Sequence, residues 1–325
     1  MNNQPSSAGK REFLLNTLPE HRDLRLDVFI ANSVENLSRS RIAKLIGEGH
    51  VLVDGNLPKA SYKIRGHETV VVIIPEADPA RTPAQNIPLD VLHEDDDIIV
   101  VNKPAGMVVH PAAGNPDRTL VNALLAHAHN LSGVGGVLRP GIVHRLDKGT
   151  SGAIVCAKND FAHESLSRMF AERTVKKIYI ALTLGAPNPA EGLIDLPIGR
   201  HKLHRKKMSV NESGGRESKT QYKLLSVRGP VGCVQCRLLT GRTHQIRVHL
   251  KALGCPLIMD DLYGGVRAAK KLPGTLGELA AKLTRPALHA FKLSFRHPRT
   301  NEWIDLTAPI PDDLAPIIAS LGISL

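Results

Sequence analysis

Two short stretches of this chain gather the side chains that could do chemistry. The first, Gly141-Ile-Val-His-Arg-Leu-Asp-Lys-Gly-Thr-Ser-Gly152, packs polar residues and three glycines into a turn that leads directly into an apolar run. A loop anchored on a buried strand is a rigid base for a reactive side chain. Asp147 is its carboxylate, flanked by His144, Arg145 and Lys148. So placed, it could act as a nucleophile; a self-satisfied ion-pair cluster is equally open. The second stretch is Thr240-Gly-Arg-Thr-His-Gln-Ile-Arg-Val-His249. Here Thr243 is expected to cap a helix running to Gly254, with Ile246, Leu250 and Leu253 as its buried stripe. Arg247 then lies on the first turn beside that stripe. A guanidinium at the edge of a core usually grips a carboxylate through two parallel hydrogen bonds. The alternative is a structural Arg–Asp pair that ties helix to sheet.

Other spellings carry less. His144-Arg-Leu-Asp147 resembles a kinase catalytic loop, but the order is wrong and no Gly-rich phosphate loop or Asp-Phe-Gly accompanies it. His244 and His249 are five apart without a His-Glu-x-x-His pattern, so no metal site is expected. Of the four cysteines, Cys233 and Cys236 have C-x-x-C spacing. They fall in the strand-like run 231–239, where positions three apart face opposite ways, so buried thiols are expected. Arg200-His-Lys-Leu-His-Arg-Lys-Lys207 is different: Arg200, Lys202, Arg205, Lys206 and Lys207 concentrate five cations in eight residues. That is either a solvated loop or a grip on phosphates.

The elements that must position these residues form an α+β pattern. Residues 1–11 are polar, and 1–22 are expected to be a partly disordered tail. Residues 23–75 form a small unit: a helix carrying Leu24, Leu26, Phe29 and Ile30, then a second helix capped by Ser38 and bearing Arg39, Arg41 and Lys44. Val51–Val53 and Glu68–Ile74 complete it as a small hairpin-like sheet around the Asp54-Gly55 turn. Pro75, Pro79, Pro83 and Pro88 mark an extended linker over 76–88. In the remainder, 89–325, Ile98–Val101 and Ala153–Ala157 read as central strands. Asp160–Arg173 reads as an amphipathic helix with Phe161, Leu166, Met169 and Phe170 inward. Lys176–Leu184 alternates, with Ile178, Ile180, Leu182 and Leu184 on one face and Tyr179, Ala181 and Thr183 on the other.

With 325 residues and a formal net charge of +11, the chain can hold two domains and favours a polyanionic partner. Aromatics are 3% of residues, which leaves backbone charge and shape, rather than base stacking, to hold a nucleic acid. No signal-like or membrane-spanning apolar stretch occurs, and the chain is read as cytoplasmic, with no membrane partner.

The motif His144-Arg-Leu-Asp-Lys-Gly-Thr-Ser-Gly152 resembles the signature of the RluA/RluD family of pseudouridine synthases. Asn102-Lys-Pro104, Val109-His-Pro111, Lys177-Ile-Tyr-Ile-Ala-Leu182, Gly241–His249, Leu288-His-Ala290 and Ala308-Pro-Ile-Pro311 are similar to that family in the same order. Residues 23–74 resemble the small RNA-binding domain that its RluD branch shares with a small-subunit ribosomal protein. The resemblance implies a mixed, mainly antiparallel catalytic sheet with flanking helices. It also implies isomerisation of uridine in large-subunit ribosomal RNA or a pre-ribosomal particle, a reaction with no redox change or net hydrolysis that calls for no cofactor; a monomer is the default expectation. Asp147 would be the nucleophile, Arg247 its ion-pair partner and Tyr179 the ring against the flipped uracil. Arg145 would fill the vacated stack and His144 would shape the loop, with Arg242, the basic loop 200–207 and Arg39, Arg41 and Lys44 as RNA contacts. The small unit is nearly charge-balanced, with eight Lys/Arg against seven Asp/Glu over 21–76, so it is expected to position RNA rather than anchor it. The alternatives are the same chemistry on transfer RNA, or a non-catalytic assembly factor on the same fold. Two departures stand out: the family usually has an acidic residue at position 149, here Gly149, and often a small residue before Asp260, here Met259.

Overall fold

The computed structural model describes residues 11–34, 37, 39–59, 61–74, 82–112, 114–127, 141–201, 203–204 and 207–325. The small N-terminal unit packs helices Leu26–Ser33 and Arg39–Gly47 on a sheet of three strands. Its core holds Leu26, Phe29, Ile30, Ile42, Leu45, Val51, Val53, Val70 and Val72. The third strand corrects the sequence reading. Arg11–Asn16, placed in a disordered tail, pairs antiparallel with Thr69–Ile74 along its whole length. Phe13 and Leu15 alternate onto the core while Glu12, Leu14 and Asn16 stay exposed, so a six-residue period-2 pattern suffices once a partner edge is available. Ser38 lies outside the described residues.

The Pro-rich stretch also differs from its reading. Residues 75–81 are outside the description, but 83–85 are tied to the catalytic domain. Asn122 donates to the Pro83 carbonyl at 2.7 Å, and the Gln85 amide donates to the Asn122 carbonyl at 2.9 Å. The second half of the expected linker is thus held against the helix Leu120–His127.

Among the described residues, nine strands form the catalytic sheet. Their order is Val91–Glu94, Ile98–Lys103, Ser151–Ala157, Leu288–Arg296, Lys176–Leu184, Val231–Leu238, Lys219–Arg228 and Glu191–Asp195, with Trp303–Thr307 beside Leu288–Arg296. Only Ser151–Ala157 and Leu288–Arg296 run parallel, and they touch through two residue pairs, His289 with Ser151 and Ala290 with Gly152. This seam needs its glycine. A Cβ on Gly152 would sit 2.2 Å from the Ala290 carbonyl oxygen, and its φ of +113° suits no other residue. The seam joins the two halves of the sheet directly behind the loop that carries Asp147.

One face of the sheet buries Ile99, Val101, Ile154, Tyr179, Ala181 and Val234 under helices Leu120–His127 and Gln245–Ala252. The other face is covered by Asp160–Ala171 and by the C-terminal helices. Strand Lys176–Leu184 divides as its alternation predicts, with Tyr179 and Ala181 in one core and Ile180, Leu182 and Leu184 in the other. Cys233 and Cys236 likewise fall in opposite cores as free thiols, and burial raises the Cys233 pKa to about 12.

Two further details differ from the sequence reading. Phe161 is not an inward residue: it is 42% exposed, with the Arg299 guanidinium 4.9 Å over its ring. The helix Asp160–Ala171 is capped by the Asn159 side chain and turns Ala162 and Leu166 to the core instead. Thr243 does not cap its helix either. The helix begins at Gln245, and the Gln245 side-chain oxygen itself accepts from the Arg242 amide and the Thr240 hydroxyl. Those are loop groups ahead of the helix, not the first-turn amides that an N-cap accepts from, and His244 in the N-cap position makes no side-chain capping bond either.

Candidate active site

The loop 141–150 is held from several sides before its side chains are considered. The Thr150 amide closes a turn on the Asp147 carbonyl at 3.0 Å, and the Gly106 amide binds the Lys148 carbonyl at 2.8 Å. His144 accepts from the Val155 amide at its Nε2 and stacks on Phe170 at 4.5 Å. Burial pushes its pKa down to about 3, so the ring is neutral and fastens loop to strand. Leu146 is buried, Asp147 keeps 19% of its side chain exposed, and Arg145 is exposed at the mouth.

Behind the loop, Arg285 donates to the Gly149 carbonyl at 3.2 Å while gripping Asp313 through two hydrogen bonds of 2.7 Å. A Cβ on Gly149 would lie 2.9 Å from Pro286 Cδ, part of a rigid ring. Gly149 and Pro286 are therefore complementary, which gives the first sequence departure a steric reason. Gly149→Asp is expected to lower stability by about 1–3 kcal/mol through overpacking. Thermal melting should show the loss, and Pro286→Ala added to the same chain should recover part of it.

Asp147 forms the floor of a cleft of about 390 Å³ lined by His144, Arg145, Lys177, Tyr179, Arg242 and His244, among others. That volume suits a ligand the size of a nucleotide. Tyr179 is 6% exposed, and its pKa is raised by burial and then by the charge of Asp147, which keeps the phenol protonated. Lys177 is also buried on the cleft wall, with its ammonium 5.4 Å over the Phe170 ring, and burial lowers its pKa to about 8.

Arg247 is the hinge of the site, and its arrangement amends the expected pairing. Its Nε and Nη2 make two parallel hydrogen bonds of 2.8 Å with the carboxylate of Asp260, which is fully buried. The Nη1 that remains faces Asp147 Oδ2 at 3.5 Å. Both readings of Arg247 thus hold at once: a structural Arg–Asp pair, and a cation presented to Asp147. Asp260 is the site residue that the sequence reading missed. Its Oδ1 also accepts from the amides of Leu262 and Tyr263 at 3.1 Å, in a turn that follows Met259 at φ +56°. A left-handed position explains why small residues suit position 259, the second departure. The signal that was available is the bidentate geometry expected of Arg247, which calls for a carboxylate of its own.

The expected RNA contacts are distributed unevenly. Arg242 lines the cleft and donates to the Glu217 carbonyl at 3.2 Å. Arg200 is exposed on a hairpin of Ile198–Arg200 with Met208–Val210, and Lys207 stands beside it. Lys202, Arg205 and Lys206 lie outside the described residues. In the small unit, Arg39 is committed to an internal pair, with Nη2 2.7 Å from Asp27, which Arg25 also grips. Lys44 is exposed and sits 3.8 Å from Glu48, while Arg41 is half-buried. His249 is bound to Thr220 and the Leu196 carbonyl, and His244 to Tyr263, so those two histidines do not share a metal site.

Comparison with known proteins gives the chain a family. The family model described as RNA pseudouridylate synthase matches residues 97–252, and the S4 domain model matches 24–70. An uncharacterized RNA pseudouridine synthase of Bacillus subtilis is 43% identical over 93% of this chain and 95% of its own length. The chain belongs to the RNA pseudouridine synthase family. A Zymomonas mobilis protein named ribosomal large subunit pseudouridine synthase D is 44% identical over 92% of this chain and 94% of its own. The solved structure of human RNA pseudouridylate synthase domain containing 4 superposes with a TM-score of 0.55 at 26% identity, covering 72% of this chain and 94% of that one. The α+β reading, with an S4-type domain ahead of a mixed, mainly antiparallel catalytic sheet, is borne out. This pseudouridine synthase has, among the described residues, no helix long and apolar enough to cross a membrane.

Proposed function

We propose that this pseudouridine synthase isomerises uridines of large-subunit ribosomal RNA, with Asp147 as the nucleophile on a base flipped out of its stack. The observation that carries the reading is the convergence on one cleft floor. Asp147 is partly exposed toward the cleft, Arg247 Nη1 faces its Oδ2, and the protonated phenol of Tyr179 lines the wall above it. In the reaction the N1–C1′ bond breaks and a C1′–C5 bond forms, while one proton leaves C5 and one is gained at N1. No water is consumed and nothing is oxidised, so a carboxylate that forms and releases an adduct is sufficient. A uracil inside a helix cannot reach Asp147, and extruding it costs a few kcal/mol. Arg145, exposed beside Asp147, is suited to occupy the space left behind. The ribosomal target is supported by the names of relatives that match along nearly the whole chain.

The C5 proton gives a direct assay. RNA from cells lacking the gene, labelled with tritium at uracil C5, should release tritium to water when the protein is added. Release from the large-subunit fraction is the expected result. Release from transfer RNA alone would overturn the target, and no release from RNA or from isolated subunits would leave only an assembly role.

The basic hairpin is proposed to grip phosphates beside the cleft. Changing Arg205, Lys206 and Lys207 to Gln should weaken RNA binding and flatten its dependence on salt, by roughly 0.7 in log–log slope for each single-strand phosphate that is no longer neutralised. An unchanged slope in filter-binding titrations would remove the hairpin from the interface.

A further inference from the structure

We propose that His244 is a positioning residue for Asp147, a neutral imidazole whose Nε2–H holds Asp147 Oδ2 together with Arg247 and so leaves Oδ1 for the substrate. This rests on the reading of Asp147 as the reacting carboxylate. The Met208 amide donates to the Tyr263 hydroxyl at 2.9 Å, and that hydroxyl lies 2.8 Å from His244 Nδ1. The phenol oxygen accepts from Met208, and the proposed arrangement directs the phenol's own proton to Nδ1. The ring proton of the neutral imidazole is thereby confined to Nε2.

Nε2 points at the active carboxylate. It is 3.9 Å from Asp147 Oδ2, the same oxygen that Arg247 Nη1 faces at 3.5 Å. Two N–H groups aimed at one oxygen would hold the carboxylate's rotation and leave Oδ1 for the substrate. At 3.9 Å the imidazole contact is longer than a hydrogen bond, and the proposed role requires it to shorten in the RNA complex. The backbone supports the assignment. His244 holds φ +58°, ψ +20°, at the N-terminus of the helix Gln245–Ala252, yet its side chain makes no capping bond. A left-handed residue that does not cap its helix is held there for another reason, and here the ring is aimed into the cleft with 15% of the side chain exposed.

The groups facing the ring are Asp147, Arg145, Arg247 and Asp260, with Tyr263 edge-on at 5.7 Å. Burial is the largest influence and keeps the ring less basic than an ordinary histidine, against the pull of Asp147. It therefore stays neutral at working pH. A proton shuttle through Nδ1 would require Tyr263 to become a phenolate, and burial raises the pKa of that phenol. The geometry thus favours a fixed donor over an acid–base relay.

Single-turnover tritium release from C5-labelled large-subunit RNA tests this, with thermal melting to confirm that each variant is folded. His244→Leu is expected to lower the rate about 100-fold while KM for RNA stays within a few-fold. His244→Gln, whose amide N–H can reach the same oxygen, should return to within about five-fold of the starting rate. Tyr263→Phe removes the group that confines the ring proton to Nε2, so the rate should fall part of the way towards that of His244→Leu, and this effect should vanish when His244→Gln is added. Full activity of His244→Leu would overturn the proposal. So would equal losses in the Leu and Gln variants, or a change confined to KM. If the unsubstituted protein released no tritium, or Asp147→Ala still did, the fault would lie with the reading of Asp147 and not with His244.

Discussion

Asp147→Ala is expected to stop tritium release from C5-labelled RNA, with a rate loss of at least about 10⁴-fold, while the Kd for RNA stays within about three-fold. The rate falls because no neighbour can replace the carboxylate: Tyr179 is a protonated phenol and Arg247 is a cation. Affinity holds because phosphates are met by cations elsewhere, and removal of an anion from a basic cleft does not weaken that attraction. The fold should survive as well. The loop is fastened by backbone hydrogen bonds, by His144 on Val155 and by Arg285 on Gly149, none of which uses the Asp147 side chain. Arg247 keeps its two bonds to Asp260. A variant that binds RNA, melts normally and turns over would show that Asp147 is not the nucleophile.

Arg247→Met should fail twice, in stability and in rate. Asp260 is fully buried and would keep only the amides of Leu262 and Tyr263 as partners. Stranding a buried carboxylate costs about 3–5 kcal/mol, which corresponds to a melting point lower by roughly 10 °C in a domain of this size. The rate should fall about 100-fold besides, because Asp147 loses the cation that aims it. Arg247→Lys does not rescue either effect, since one ammonium cannot make both bonds to Asp260 and still reach Asp147. The decisive comparison is the pair Arg247→Met with Asp260→Leu. Removing both charges should restore much of the stability and none of the activity. Restored activity in that pair would mean that Arg247 serves only to neutralise Asp260.

Much of this site was legible in the sequence because its parts are local. Asp147 sits in a glycine-bounded turn ahead of an apolar run, and strand alternation alone sends Tyr179 to the face opposite Ile178 and Ile180. Arg247 was legible as a guanidinium in need of a carboxylate. Which carboxylate was not, because Asp260 lies thirteen residues on, beyond a helix end and a left-handed turn at Met259. Thr243 has the chemistry of a cap, but the helix starts at Gln245 and the N-cap position falls on His244. The strand Arg11–Asn16 went unread because six residues carry little pattern until Thr69–Ile74 offers an edge to pair with. Arg39 pairs with the buried Asp27, twelve residues earlier, while about 55% of its side chain stays exposed. For Arg247 and for the strand Arg11–Asn16 the missing information was a partner distant in sequence.

The central claim is tested most directly by mapping pseudouridine with carbodiimide and primer extension in large-subunit RNA from cells lacking the gene, after incubation with the purified protein or with Asp147→Ala. The account predicts new stops at defined uridines with the first and none with the second. Stops that persist with Asp147→Ala, or their absence from large-subunit RNA with the unsubstituted protein, would contradict it.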